Sequence, residues 1–154
     1  MNRVKNYMMR TLNSICADEP IEKAIKIMHK TEMTVFPVVD HQNRFLGSIY
    51  SKHILNNIIP EKYGFLHNHD LLHRITEASD NMKMIKTRKV EEYMTREITT
   101  IKESDRMDDL AHIMIGNDQQ YLFVTSKNNK LRGYISRADL LYYLLEVARE
   151  NEKA

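Results

Sequence analysis

At 154 residues the chain is long enough to bury a core, as one compact domain or two small fused ones. Lys and Arg number 23 against 21 Asp and Glu, a formal charge of +2 with both signs scattered, so nucleic acid is not the default partner. The single Cys16 excludes an intrachain disulfide framework, no apolar run approaches the roughly 20 residues of a membrane span, and Met1-Asn2-Arg3-Val4 lacks a signal-peptide core; a soluble protein of a reducing cytoplasm is expected.

In chain order, Asp18 is a candidate N-cap and Pro20 suits a first helical turn, where its missing N–H costs little. The helix that follows carries Ile21, Ala24, Ile25 and Met28 on one face, with Glu22, Lys23, Lys26 and Lys30 outward. Val35 to Val39 reads as a strand whose Pro37 argues for an edge or irregular position, and Asp40-His41-Gln42-Asn43 as a polar turn. Phe45 to Tyr50 is the returning strand, and Ser51 to Ile59 a helix ended by Pro60. Residues 60–89 are too long for a structureless connection in a compact domain, so a helix is expected there, with Leu71, Leu72 and Ile75 on one side and Met82, Met84 and Ile85 in a further turn.

The second half repeats the strand, helix, strand, strand, helix order. A short strand lies near Ile98 to Ile101, and Ser104 caps a helix bearing Met107, Leu110, Ala111 and Met114. Tyr121 to Thr125 and Leu131 to Ser136 are strands joined by the loop Ser126-Lys127-Asn128-Asn129-Lys130, and Ala138 to about Glu150 is the closing helix. That helix is apolar on more than one face (Leu140, Leu141, Tyr142, Tyr143, Leu144, Leu145, Val147), which points to a contact beyond its own unit and to a dimer.

The two halves align without a gap: residues 4–58 and 90–144 match at a shift of 86, with Val4/Val90, Tyr7/Tyr93, Met8/Met94, Met28/Met114, Val38/Val124, Gly47/Gly133, Ile49/Ile135 and Leu55/Leu141 in register. The expected fold class is α/β (α+β), two β-α-β-β-α units related by a pseudo-twofold axis: 1–59, a partly helical linker 60–89, and 90–150. Clefts between such units are common ligand sites.

Gly133-Tyr134-Ile135-Ser136-Arg137-Ala138-Asp139 ends a strand and starts a helix, bringing a hydroxyl, backbone amides and the positive end of the helix dipole together. Asp139 in the first turn can accept from the vicinal hydroxyls of a ribose. Two readings stand at this point: a nucleoside-phosphate grip, or a helix capped by Ser136 and completed electrostatically by Asp139. Arg137, the nearest basic residue, either binds phosphate or points to solvent.

With these residues in order, the chain resembles a tandem pair of CBS domains, the arrangement called a Bateman module. The resemblance rests on Val4-Lys5-Asn6-Tyr7-Met8 and Val90-Glu91-Glu92-Tyr93-Met94, on Pro37-Val38-Val39-Asp40, and on Gly133, Ser136 and Asp139. It covers nearly the whole chain apart from the linker and the C-terminal tail. It implies a ligand-sensing module and not an enzyme. The ligand implied is adenosine-containing: AMP, ADP, ATP, S-adenosylmethionine or cyclic di-AMP, in the cleft between units. Ser136, Arg137, Asp139 and Gly133 then fall at ribose and phosphate, and Asn13, Ser14, Ile15, Met33, Thr34 and Val35 at the base. A homodimer and an unidentified effector protein are the implied macromolecular partners. The first copy departs from the motif, with Tyr50 and His53 where Ser136 and Asp139 stand in the second, so one competent and one degraded site are expected. The second copy departs in having Leu122-Phe123-Val124-Thr125-Ser126 for Pro-Val-Val-Asp, and it offers Gln119-Gln120 where many relatives place a basic residue. A pair without ligand, serving as a dimerisation or docking element, is the alternative.

Two features stand apart from that reading. In the linker segment His67 to His73, His69 and His73 lie four apart and would share a helix face within reach of one metal ion, or belong to a solvated helix. Cys16 reads as a plain loop residue, with no matched base to make it a nucleophile.

Overall fold

The computed structural model describes residues 2–10, 13–59, 68–96, 99–117 and 120–153, the side chains of 68–74 and 117 excepted. Its order is β1 (Ile15–Cys16), α1 (Ile21–Thr31), β2 (Val35–Val39), β3 (Phe45–Tyr50), α2 (Ser51–Ile58), α3 (Asn68–Ile85), β4 (Ile101–Lys102), α4 (Met107–Asn117), β5 (Tyr121–Thr125), β6 (Leu131–Ser136) and α5 (Arg137–Lys153). Each half therefore has the β-α-β-β-α order that the repeat implies. A 3-10 turn precedes each half, at Val4–Asn6 and Val90–Glu92.

Two three-stranded sheets form, ordered β1-β2-β3 and β4-β5-β6. In each, the two-residue first strand runs parallel to the second, Ile15 opposite Val38 and Ile101 opposite Val124. The β5–β6 pair is an antiparallel hairpin running from Tyr121 opposite Ser136 to Thr125 opposite Leu131. Its loop turns on Asn129, and the equivalent first-half turn on Asn43, both with φ near +60°, a conformation that asparagine tolerates better than most residues.

Several expectations need correction. β2 is the central strand of its sheet, not an edge; Pro37 is tolerated because the ladder with β1 begins only at Val38, one residue past it. Asp18 does not cap α1. Pro20 holds the N-cap position in extended conformation, and the Asp18 carboxylate turns to His41 instead. Ser104 does not cap α4, which begins at Met107; there the Arg106 amide donates to Asp109 Oδ2 at 3.3 Å. The fourth strand starts at Ile101, and Cys16 belongs to β1, not to a loop. The linker helix is one continuous element through Ile85, on which Ile75 is exposed; the side chains of Leu71 and Leu72 lie outside the described residues, as does Pro60.

The chain divides into two compact units that do not follow the repeat: residues 13–41 with 46–97, and residues 1–12 with 42–45 and 98–154. The first is organised around Ile21, Ala24, Met28, Phe36, Val38 and Ile49, and its core takes in Val90 from the start of the second repeat. The second is organised around Ile101, Met107, Leu110, Val124 and Ile135, and its core takes in Val4 and Met8 from the start of the first. Val4 and Val90 are both fully buried, a contribution of about 1.5–3 kcal/mol each. Backbone pairing fixes the exchange: Met9 and Tyr134 trade amide bonds of 2.8 and 2.9 Å, and Ser48 and Thr95 trade two of 2.8 Å.

Candidate functional site

The exchanged segments explain both motif glycines. A Cβ on Gly133 would lie 2.1 Å from the Met9 carbonyl oxygen, and one on Gly47 would lie 2.2 Å from that of Thr95. These positions are empty of side chain because another backbone crosses them. Gly133 is buried, so its role here is to let β6 accept the Met9 strand.

Two residues further on, β6 ends and α5 begins. The Ser136 hydroxyl accepts from the Asp139 amide at 3.4 Å, while Asp139 Oδ2 accepts from the Ser136 amide at 2.8 Å and from its hydroxyl at 3.0 Å. This is a reciprocal capping box, in which residues three apart satisfy each other's orphan amides. Both bonds that Asp139 accepts from Ser136 fall on Oδ2, not on Oδ1. The Arg137 amide donates to the Gln120 carbonyl at 3.0 Å, and its side chain is exposed; Gln119 lies outside the described residues.

Asp139 opens on a pocket of about 370 Å³ lined also by Asn6, Tyr7, Tyr142 and Glu146. Tyr7 comes from the exchanged N-terminal turn and packs edge-on against Tyr142 and Tyr143, ring centres 6.4 and 5.5 Å away. Burial first, and then its hydrogen bond to Glu146, push the Tyr7 hydroxyl above the usual tyrosine range, so it is a neutral donor at this wall. Two carboxylates on one pocket suit a ligand's hydroxyl groups and repel a phosphate. Sequence reasoning missed Asn6 and Tyr7 here, since nothing local says that a segment 130 residues upstream of α5 lines its first turns.

Elsewhere in the same unit, Glu103 accepts from Arg132 at 2.7 Å and Arg10 at 3.3 Å. Chiefly the Arg132 hydrogen bond holds its carboxyl below the usual range, against a smaller opposing effect of burial. Lys102 is fixed by Thr125 Oγ1 at 2.9 Å and the Ser126 carbonyl at 3.1 Å. None of these pairings was anticipated.

The equivalent helix start in the other unit is built differently. Tyr50 occupies the N-cap of α2 and makes no side-chain cap bond, and the first amide, of Ser51, donates to the Thr34 carbonyl at 2.8 Å. His53 takes the place of the carboxylate; its Nδ1 lies 3.2 Å from the Thr95 hydroxyl and its ring 5.0 Å from that of Tyr50. Of the residues assigned to a base, Met33 and Thr34 line an apolar pocket of about 450 Å³ with Ser51, Ile54, Leu55 and Ile58. Ile15 is buried in β1, Val35 begins β2, Ser14 is half-buried and Asn13 exposed. The base set thus belongs to one compact unit and Gly133, Ser136, Arg137 and Asp139 to the other. His69 and His73 sit on α3, where their side chains lie outside the described residues, as does His67 altogether. Among the described residues, no helix is long and apolar enough to cross a membrane.

The comparisons agree with the repeat. The CBS domain model matches twice, at residues 4–60 and 90–146. The uncharacterized protein MJ1225 of Methanocaldococcus jannaschii is 26% identical over 140 residues, 91% of this chain; the chain spans 46% of that relative's length. Its crystal structure, described as that of a candidate archaeal homologue of γ-AMPK, superposes with a TM-score of 0.71 at 25% identity, covering 93% of this chain and 48% of that one. A CBS domain-containing protein of unknown function from Bacillus anthracis shares the fold with a TM-score of 0.73 at 19% identity, covering 94% and 93% of the two chains. CBSX2 of Arabidopsis thaliana in complex with AMP does so with a TM-score of 0.67 at 17% identity, covering 96% and 99%. The chain belongs to the CBS domain family and carries two copies of that domain in tandem.

Proposed function

We propose that the chain is a regulatory module that binds an adenosine-containing ligand and passes the resulting conformational change to another protein. AMP, ADP, ATP, S-adenosylmethionine and cyclic di-AMP are the candidates. The observation that carries this reading is the start of α5, where Asp139 faces a pocket of about 370 Å³, within the size range of small-molecule sites. Asp139 takes the ribose hydroxyls, using Oδ1, and Ser136, Arg137 and Gly133 are assigned with it to the ribose and phosphate. Asn13, Ser14, Ile15, Met33, Thr34 and Val35 are assigned to the base in the same proposal. Support comes from the AMP complex of CBSX2, a protein of the same fold, and from the likeness of MJ1225 to γ-AMPK. The module assigns no catalytic residue and no catalytic cofactor. Coupling follows from linkage: a ligand that prefers one conformation shifts the population toward it by its differential affinity.

The reading includes self-association through α5. Leu140 and Tyr143 of this helix are buried in their own unit, whereas Leu141, Tyr142, Leu144 and Leu145 remain 47–67% exposed. A continuous apolar stripe of this kind is the usual mark of a protein contact. Sedimentation equilibrium of the wild type and of Leu141→Glu tests it: a dimer that dissociates in the variant is expected, and a wild-type monomer rejects it.

One observation favours a docking element without ligand. The capping box already uses Ser136 and Asp139 for a structural purpose, and His53 is engaged by Thr95. Thermal unfolding with each of the five ligands separates the two readings. Binding raises stability by about 2.7 kcal/mol at a hundredfold excess over Kd, and Asp139→Asn, which keeps an oxygen acceptor for the cap, should lose that gain. No shift with any of the five supports the docking element.

A further inference from the structure

Cys16 closes β1, Asp18 follows in the turn to α1, and His41 lies in the turn after β2. Because β1 and β2 are parallel and paired with Cys16 opposite Val39, both segments leave the sheet at the same end. The thiol, one carboxylate oxygen and one imidazole nitrogen come within 4.8 Å of one another. His41 Nε2 donates to Asp18 Oδ2 at 2.7 Å, and Cys16 is half-buried and in no disulfide. Three different donor types thus converge from one end of one sheet.

The second repeat shows what this place favours. The equivalents of Cys16, Asp18 and His41 are Lys102, Ser104 and Lys127, none of them an acid, a thiol or an imidazole. There the Lys102 ammonium occupies the corresponding end of the sheet, bonded to Thr125 Oγ1 and the Ser126 carbonyl. One copy carries a built-in cation; the other carries three groups able to hold one. The carboxylates of Asp18, Asp40 and Glu19 gather negative charge near His41, which favours a cation there, with Lys89 the positive charge near Asp18.

We propose that Cys16, Asp18 and His41 bind a Zn²⁺ ion. Thiolate, imidazole and carboxylate together suit a borderline cation, and three protein ligands leave the fourth tetrahedral position to water. Metal–ligand bonds of about 2.0–2.3 Å place donor atoms about 3.3–3.8 Å apart, so the thiol must close on the other two by up to about 1 Å while the Asp18–His41 pair opens by about 0.6 Å. Asp18 and His41 are 48% and 69% exposed and sit on turns, which lets them move that far. On binding, the thiol proton and the proton that His41 donates to Asp18 pass to solvent, and the ion takes their place.

The test is a Co²⁺ titration of the full chain under non-oxidising conditions, followed by displacement with Zn²⁺. Since Cys16 is the only cysteine, a thiolate-to-cobalt charge-transfer band reports on this residue alone. Expected are one equivalent of Co²⁺ per chain, loss of the band in Cys16→Ser, and at least about tenfold weaker binding in His41→Ala. The band should persist in the double variant His69→Ala/His73→Ala. No band in the wild type overturns the proposal, as does a half-equivalent endpoint, a band indifferent to His41→Ala, or one lost with the linker histidines. Circular dichroism of the metal-free variants shows that each keeps its fold. No residue of this site is shared with the adenosyl reading, so the two fail independently.

Discussion

The starts of α2 and α5 occupy equivalent positions in the repeat and follow the same path from strand to helix, yet they are finished with different chemistry. At α5, Ser136 and Asp139 cap the helix and face a pocket with a carboxylate. At α2, Tyr50 and His53 stand there, and a threonine from the exchanged segment holds the imidazole. The glycine before each start lies under a crossing backbone, Thr95 over Gly47 and Met9 over Gly133. The lesson is that the strand-to-helix path depends on the glycine and its crossing partner, while the residues at the cap are free to carry a ligand grip or lose it.

The severest way to break this comparison is to fill the crossings. Gly47→Ala and Gly133→Ala each force a Cβ to within about 2 Å of a carbonyl oxygen, and each should cost about 3 kcal/mol in urea unfolding. If only one were damaging, the two crossings would not be equivalent. A smaller effect sharpens the difference at the caps. Ser136→Ala should cost about 1 kcal/mol through loss of the box, whereas His53→Ala, at an exposed side chain, should stay within about 0.5 kcal/mol.

The least effect concerns the Asp18–His41 pair. The Asp18 hydrogen bond raises the His41 imidazole above 6.5, and the same bond lowers Asp18 below 3.8. A raised histidine stabilises fully below its unfolded value and loses that contribution as pH climbs through its folded one. A lowered aspartate stabilises fully above its unfolded value and loses it as pH falls through its folded one. The pair therefore helps most between about pH 4 and 6.5. NMR titration should place His41 above 6.5 and return it near that value in Asp18→Asn; an unmoved histidine would disprove the contact in solution. The second repeat, with Lys127 in that position, has no counterpart to titrate.

Elements carried by local pattern were legible. Val35–Val39, Phe45–Tyr50, Tyr121–Thr125 and Leu131–Ser136 form at the positions their apolar runs mark, and Ile21, Ala24 and Met28 are buried on α1 as their spacing demands. Helix starts were less so, because Asp18 and Ser104 have the side chains of caps but stand three residues before the first helical residue, and Asp18 is bonded to a histidine 23 residues away. Of the proposed grip, Ser136 and Asp139 were visible as a pair because their interaction spans three residues. Tyr7 and Asn6 at the pocket, Thr95 on His53, and Cys16 beside His41 were not, since each meets its neighbour only through pairing between distant segments. The Arg10–Glu103–Arg132 cluster was hidden for the same reason.

The exchange of leading segments also sets the order in which the molecule can be finished. Residues 13–41 and 46–97 complete one unit, whereas the other needs both 1–12 and 98–154. During translation Val4 and Met8 are made before residues 13–97 but find their cover, Leu110, Ile135 and Leu140, only after those residues are complete. Of the two bodies, the one begun earlier is therefore sealed later, and a nascent chain stalled near residue 97 would carry Val4 and Met8 without their apolar cover.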